Sequence, residues 1–495
     1  MSYLMGIDLG TSSVKALITD EKGKIRGLGQ AGYEVKTSQP GYAEQDPREW
    51  WKCTKIAVQQ ALERGGINAE EIQGIGFSGQ MHGLVAIDRD GNPVCDSIIH
   101  LDQRSVLEKE EIYEKAGNLI REELLNCPGT GMLICSLLWL KRNRPKEYEK
   151  IYTVFSPKDY IRFRLTGEVA SDFCDASATL AFDMKNRQWC KELLHRLDLK
   201  TDIWPPILKS HEDAGFVSKK AAEESGLKVG TTVVAGTGDC AAQLIGNGVT
   251  GEGIISCNIG TSSQIAAVTN VSVMDEEMRC QLWCHGVPDM YIFQGGAMNG
   301  GNTLSWLRNK ILKTSCSFET LDEEAGKVVP GCNGIFFLPY LAGERTPWND
   351  PRARGVFFGL GLIHDQAAIV RAVMEGVVYN LRICKEIFDQ KDIYQERLIS
   401  SGGGARGNTW KQIQADMLDM PVYTTEVDEE ACLGAAILAA VGTGMYVSVS
   451  EACKEMVSIR SEVTEPIQEH VKYYREHQEI FCEIYERVRG IYRKL

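Results

Sequence analysis

MGIDLGTSSVK, residues 5–15, is an apolar run closed by an aspartate, a Gly-Thr-Ser-Ser break, and a second run rich in β-branched residues. Residues 3–9 read as a strand, 10–13 as a turn and 14–19 as a second strand. Glycine in such a turn lets the backbone approach a bulky anion, and successive amides and hydroxyls can donate to phosphate oxygens. An aspartate at the strand end can hold magnesium through water, because magnesium dehydrates reluctantly. Alone, the segment reads first as an ordinary hairpin turn, since Gly and Ser also serve turn geometry for local reasons.

Recurrence changes that reading. Residues 254–259 form another strand pattern, Gly260-Thr261-Ser262-Ser263 breaks it, and 265–268 resume it. The repeat hints at internal duplication. Two such turns can grip a polyphosphate from opposite sides. A third turn, Gly402-Gly403-Gly404, follows a strand around Leu398, and its missing side chains leave room for a flat base and its sugar.

Between these turns, strand and helix patterns alternate. Asp46-Pro47 is a helix start signal, and residues 72–77 read as a strand that ends in Ser78-Gly79-Gln80-Met81-His82-Gly83. Residues 233–235 read as a strand running into Gly236-Thr237-Gly238-Asp239, with a small-residue helix after it. Long helical patterns cover 367–388 and the tail from Val471. The alternation implies an α/β protein of two lobes, divided in sequence as 1–245 and 246–495.

Composition narrows the classes. The 495 residues, 43% hydrophobic and 24% charged, suit a globular protein of two large or three medium domains. The net charge of −13 argues against polyanionic partners, both nucleic acid and acidic membrane surfaces. No apolar run has the length of a membrane span; residues 431–441 come nearest and read as a packed helix. The first ten residues lack a basic region followed by an apolar one, so a cytoplasmic location is expected. Sixteen scattered cysteines imply reduced, mostly buried thiols, and Cys280, Cys284 and His285 lack a fourth zinc ligand.

The chain resembles the FGGY family of carbohydrate kinases over essentially its whole length. The resemblance rests on MGIDLGTSSVK (5–15), GYAEQDPREWW (41–51), SGQMHGLVAID (78–88) and SPKDYIRFRLTGEVASDFCDAS (156–177). Further on it rests on GTSS (260–263), FFLPYLAGERTPW (336–348) and SGGGARGNTW (401–410). It implies a two-lobed actin/hexokinase-like (ribonuclease H-like) ATPase fold with a central cleft, ATP and Mg2+ as cofactors, a small-molecule sugar as substrate, and the possibility of a homodimer.

By resemblance, Asp8 would sit by the γ-phosphate and magnesium. Thr11 and Ser12 would form the first phosphate loop, and Gly260, Thr261 and Ser262 the second. Gly403, Gly404 and Asn408 would line the adenosine pocket. Gln80, Met81, His82 and Asp102 would face the sugar, and Asp239 would be the catalytic base. A base is needed because a sugar hydroxyl must lose its proton as the new P–O bond forms. On spacing alone Asp239 reads first as a helix N-cap, and His82 as a packed or capping histidine.

The xylulokinase branch matches best, which implies transfer to D-xylulose. Three departures bear on the sugar rather than the reaction. His100 and Leu101 replace a Trp-Asn pair before Asp102, Ser136 replaces a lysine three residues before Trp139, and Ala368 replaces a polar residue. Other ketoses such as sedoheptulose or ribulose stay open, as does a non-kinase ATP-binding role on the same core.

Overall fold

The computed structural model describes residues 2–495. Its first sheet is built on the hairpin of β1 (Tyr3–Leu9) and β2 (Ser13–Asp20), continued antiparallel by β3 (Ile25–Gly32). Helix α1 (Pro47–Gly65) starts as the sequence signals, with the Asp46 side chain accepting from the Arg48 amide and Pro47 in the first turn. On the other side of β1 lies β4 (Ile72–Gly79), parallel to it, which extends the expected strand by Ser78 and Gly79. Two strands complete that edge, β5 (Asp213–Phe216) and β6 (Thr232–Val234), and the short strand Thr237–Gly238 pairs with the end of β4. Helix α2 (Asp239–Gly246) follows directly.

The second sheet repeats the plan. The hairpin of β7 (Gly253–Ile259) and β8 (Ser263–Thr269) is antiparallel, β9 (Gln281–Cys284) and β10 (Tyr291–Ala297) extend it, and α3 (Gln366–Gln390) packs on it. On the far side of β7, β11 (Gln395–Gly402) runs parallel to it, α4 (Asn408–Leu418) follows, and β12 (Val422–Thr424) is parallel to β11. The spatial order β3-β2-β1-β4-β6 therefore matches β10-β8-β7-β11-β12, with the same sense at every step. The match reaches individual residues: Asp8 pairs with Ser78 in one sheet and Asn258 with Ser401 in the other.

Helix α5 (Glu430–Gly442) belongs to the second half of the chain but packs on β1 and β4 of the first sheet and on α2. The approach is backbone to backbone, since a Cβ at Gly6 would collide with the carbonyl of Cys432. Sequence halves and packed lobes are thus different divisions: the stretch 246–495 is not all one lobe. The tail helix α6 (Gln468–Tyr492) buries Tyr474, Phe481 and Tyr485 against the second lobe's core. All sixteen cysteines are unpaired thiols, and no described helix is long and apolar enough to cross a membrane.

Candidate active site

The parallel register of β1 and β4 brings two conspicuous turns side by side. Ser78 Oγ donates to Asp8 Oδ1 at 2.7 Å, and the second oxygen of Asp8 has no hydrogen-bond partner among the described residues. Burial raises the Asp8 pKa above the ordinary carboxylate value, against the opposing pull of Ser78 and Lys15. Beyond Asp8, Thr11 is half-buried and Ser12 exposed at the hairpin tip.

Gln45 joins the two turns. Its Nε2 donates to the carbonyl of Thr11 at 2.7 Å, while its Oε1 accepts from Gln80 Nε2 at 3.0 Å and Trp50 Nε1 at 3.2 Å. It lies inside the GYAEQDPREWW motif, yet no spacing or periodicity singles it out as a bridge. Sequence reasoning assigned it no role.

The Ser78–Gly83 turn places its side chains unequally. The Gln80 Oε1 atom is buried with no partner. Met81 is buried in the core and lies against Gly238, where an added Cβ would meet its Sδ at 2.8 Å. His82 adopts a left-handed backbone (φ 71°), its ring is edge-on to Trp283 at 5.2 Å, and its Nδ1 lies 2.8 Å from the carbonyl of Ala178. A carbonyl only accepts, so Nδ1 carries the proton and Nε2 is left with a lone pair. Burial depresses the His82 pKa, with Arg345 adding to the effect. His100 lies near enough to feel both His82 and Arg345, and burial takes it down to about 4, so both rings are neutral at pH 7.

Asp239 is the first residue of α2, and the N-cap position is Gly238 rather than the aspartate. One Asp239 oxygen accepts from its neighbour Cys240's amide at 2.7 Å. The carboxyl is pushed up to about 7, first by burial and then by the charge of Asp8, which it faces. The two aspartates are thus close enough for the charge of one to act on the other, Asp8 near the end of β1 and Asp239 at the start of α2.

Asp102 departs from its expected part. Its two oxygens accept from the Arg104 guanidinium at 2.7–2.9 Å, from the Arg104 amide at 2.9 Å and from the Ala43 amide at 2.7 Å. Arg104 is in turn held by Glu44 and stacked over Tyr42 at 3.7 Å. With its lone pairs so engaged, Asp102 fixes the 99–104 loop instead of offering an oxygen to a sugar. His100, in the same loop, is what remains available: its Nδ1 is buried without a partner.

The Gly260–Ser263 turn opens on a cavity of 980 Å³. Gly260, Thr261, Gly403 and Asn408 line it, joined by Asn302, Phe318, Asp322 and Trp410, which lie outside the three glycine turns and went unassigned in the sequence. Asp322 accepts from the amides of Thr409 and Trp410 at 3.0 and 3.2 Å and so caps α4 from a different helix. Gly404 is not a lining residue; a Cβ there would press on Ile259, so its glycine serves strand packing. Ser262 is exposed beside the cavity, with its carbonyl against Gly300.

One acidic cluster could be mistaken for a metal centre. Asp159, Asp172 and Asp175 converge in the core, but Lys158 Nζ sits among them at 2.6, 2.7 and 3.1 Å. The ammonium occupies the position an ion would take.

Known proteins show the same architecture. The N-terminal domain model of the FGGY family of carbohydrate kinases matches residues 3–246 and its C-terminal domain model matches 255–443. A xylulose kinase of Staphylococcus epidermidis is 34% identical over 488 residues, 99% of this chain and 97% of that one. A gluconokinase of Bacillus subtilis is 30% identical over 508 residues, 98% of this chain and 95% of that one. The crystal structure of a xylulose kinase from Rhodospirillum rubrum, 25% identical, superposes with a TM-score of 0.92 over 99% of this chain and 100% of that one. Two matched domain models and full-length relatives at 30% identity or more agree with the duplicated sheets and facing turns, and the chain belongs to the FGGY family of carbohydrate kinases.

Proposed function

We propose that the protein transfers the γ-phosphoryl group of ATP to O5 of D-xylulose, giving D-xylulose 5-phosphate and ADP, with Asp239 as general base. The observation that carries this reading is the buried Asp239 carboxyl lying close enough to Asp8 to feel its charge, with Asp8 just before the Gly10–Ser13 turn. The O5–H proton passes to the free oxygen of Asp239 as O5 bonds to the γ-phosphorus and the bond to the β,γ-bridging oxygen breaks. Thr11, Ser12, Thr261 and Ser262 would hold the phosphates, and the 980 Å³ cavity beside Gly403 and Asn408 would take the adenosine. Gln80, His82 and His100 offer neutral acceptors and donors suited to sugar hydroxyls.

Asp8 fits a magnesium ion: it is a hard oxygen donor with one unpartnered oxygen, next to a second carboxylate, and Lys15 is already taken by Glu429 at 2.5 Å. Bound there, the ion would neutralise charge on the phosphates.

A second reading is an acidic sugar. Arg345 is exposed, has no side-chain hydrogen bond or ion pair among the described residues, and faces His82 and His100. An unpaired guanidinium there suits a carboxylate, and one relative is a gluconokinase. Sugar-dependent ADP release measured with D-xylulose, D-ribulose, L-xylulose, sedoheptulose, D-fructose, gluconate and glycerol separates the readings. A kcat/KM highest for D-xylulose supports the first, one highest for gluconate supports the second, and turnover equal with and without any sugar would leave only an ATP-binding role.

A further inference from the structure

The GERTP segment carries a buried carboxylate that the reaction above does not use. Glu344 is 3% exposed and has no cation within ion-pair distance among the described residues. Four donors converge on it instead. Oε1 accepts from the amides of Met298 at 2.6 Å and Arg345 at 2.8 Å, and Oε2 from the side-chain amides of Asn380 at 3.4 Å and Asn299 at 3.5 Å. Burial lifts its pKa to about 7 in spite of these bonds. A carboxylate so placed is costly unless several donors are aimed at it, and here they are.

The residues it holds lead to the second phosphate turn. Asn299 is 1% exposed, donates to the carbonyl of Gly343 at 2.8 Å and accepts from the Ala342 amide at 3.3 Å, so the 341–344 strap clamps it on two sides. Its own carbonyl accepts from Ser263 Oγ at 2.7 Å. The next residues zip onto the turn directly: the Gly301 amide donates to the Gly260 carbonyl at 2.7 Å and the Asn302 amide to the Thr261 carbonyl at 3.2 Å. Gly300 must be glycine, since a Cβ there would strike the carbonyl of Ser262. Gly260, Thr261 and Ser263 are thus hydrogen-bonded to a loop that Glu344 anchors.

We propose that Glu344 is a positioning residue for nucleotide binding, holding the Gly260–Ser263 turn in place through Met298, Asn299 and Ser263. This rests on the reading of that turn as a phosphate loop. The informative variant is Glu344→Gln. An amide has one acceptor oxygen, so one of the two donor pairs must then face an NH2 group while the volume stays the same.

Titration calorimetry with magnesium and a non-hydrolysable ATP analogue, together with KM values for ATP and sugar, tests the proposal. Glu344→Gln is expected to raise the analogue Kd and the KM for ATP about tenfold, the scale of one lost charge-assisted hydrogen bond. The KM for sugar stays within about twofold, as expected when only one substrate's site is disturbed. Ser263→Ala moves the same constants in the same direction, and the double variant falls short of the product of the two effects because both act on one chain of contacts. An unchanged analogue Kd in folded Glu344→Gln protein, or equal rises in both KM values, overturns the proposal. Failure of the unaltered protein to bind the analogue would instead overturn the phosphate-loop reading, and this inference with it.

Discussion

Asp239 faces Asp8 from the start of another element, and the charge of Asp8 helps to hold the Asp239 carboxyl near neutrality, at about 7. The two residues are carried by β1 and α2, and α5 packs against both elements. Their relation is therefore built into the core of the first lobe. It does not depend on mobile loops. A carboxylate poised at this value is half ionised at neutral pH, which suits a base that must accept a proton and later release it.

The first prediction is the pH dependence of kcat/KM. With Asp239 as the proposed base its ionised form is the active one, so the sugar-dependent rate should fall as pH drops below about 7, by about tenfold per unit once the group is mostly protonated. Above that value the profile should be flat until another group intervenes. Burial takes His100 down to about 4 and lowers His82 below its ordinary value. A rate that stays constant from pH 7 down to pH 5 would remove Asp239 from the base role.

Asp239→Asn should lose sugar-dependent turnover by about 10²–10⁴-fold, the usual worth of a positioned base, while analogue binding persists. It should also be more stable than the parent at high pH. The folded carboxyl holds its proton up to about 7, whereas the unfolded one loses it near 3.8. The folded state thus binds more protons in between, and parent stability declines as pH rises from about 4 to about 7. Without nucleotide or metal, the variant should exceed the parent by up to ~4 kcal/mol at pH 8 and match it near pH 4. Thermal melts at the two pH values check both halves of this statement.

Gln45→Ala breaks the bridge between the Thr11 carbonyl and Gln80 and leaves Trp50 Nε1 without its acceptor. The expected cost in stability is about 1–3 kcal/mol, from buried polar groups losing their partners. On the proposed reading of the Gly10–Ser13 turn as a phosphate loop and the Ser78–Gly83 turn as the sugar side, the KM values for ATP and for sugar should rise together. A change confined to one substrate would show that the two turns are held independently.

Much of this was legible in residues 5–15 and 254–268, because hairpins announce themselves by apolar runs around a glycine turn, and the duplication survives even where Asp8 becomes Asn258. Asp239 was legible as a strand-end aspartate after glycines, but its proximity to Asp8 in the same lobe was not. What sequence could not display was long-range packing. Nothing in residues 430–442 says that the helix returns to the first sheet, because its residues are small and apolar on all sides. The bonds of Asp102 to Arg104 and to the Ala43 amide are likewise contacts that spacing does not display. Gln45, Asn299 and Glu344 do their work through backbone atoms of distant loops, and no spacing rule records such contacts.

Lys158 provides the last test. Its ammonium is fully buried among Asp159, Asp172 and Asp175, beneath the ends of β4 and the strand leading to Asp239: Nζ lies 3.4 Å from the Ala235 carbonyl, and a Cβ at Gly79 would meet the Lys158 side chain at 2.9 Å. The three carboxylates repel one another, and burial raises the pKa values of Asp172 and Asp175 despite the lysine. Lys158→Met keeps the aliphatic volume and removes the ammonium among the three carboxylates, leaving Arg162 at 3.7 Å from Asp159, so the protein should lose about 3–5 kcal/mol, as when one partner of a buried ion pair is deleted. Lowering the pH protonates the carboxylates and should recover part of that loss. Because the ammonium already occupies the centre of the cluster, chelators should leave the Tm of the nucleotide-free parent unchanged. A Tm that falls with EDTA and is restored by a divalent ion would show that the cluster holds a metal and that Lys158 swings aside to admit it.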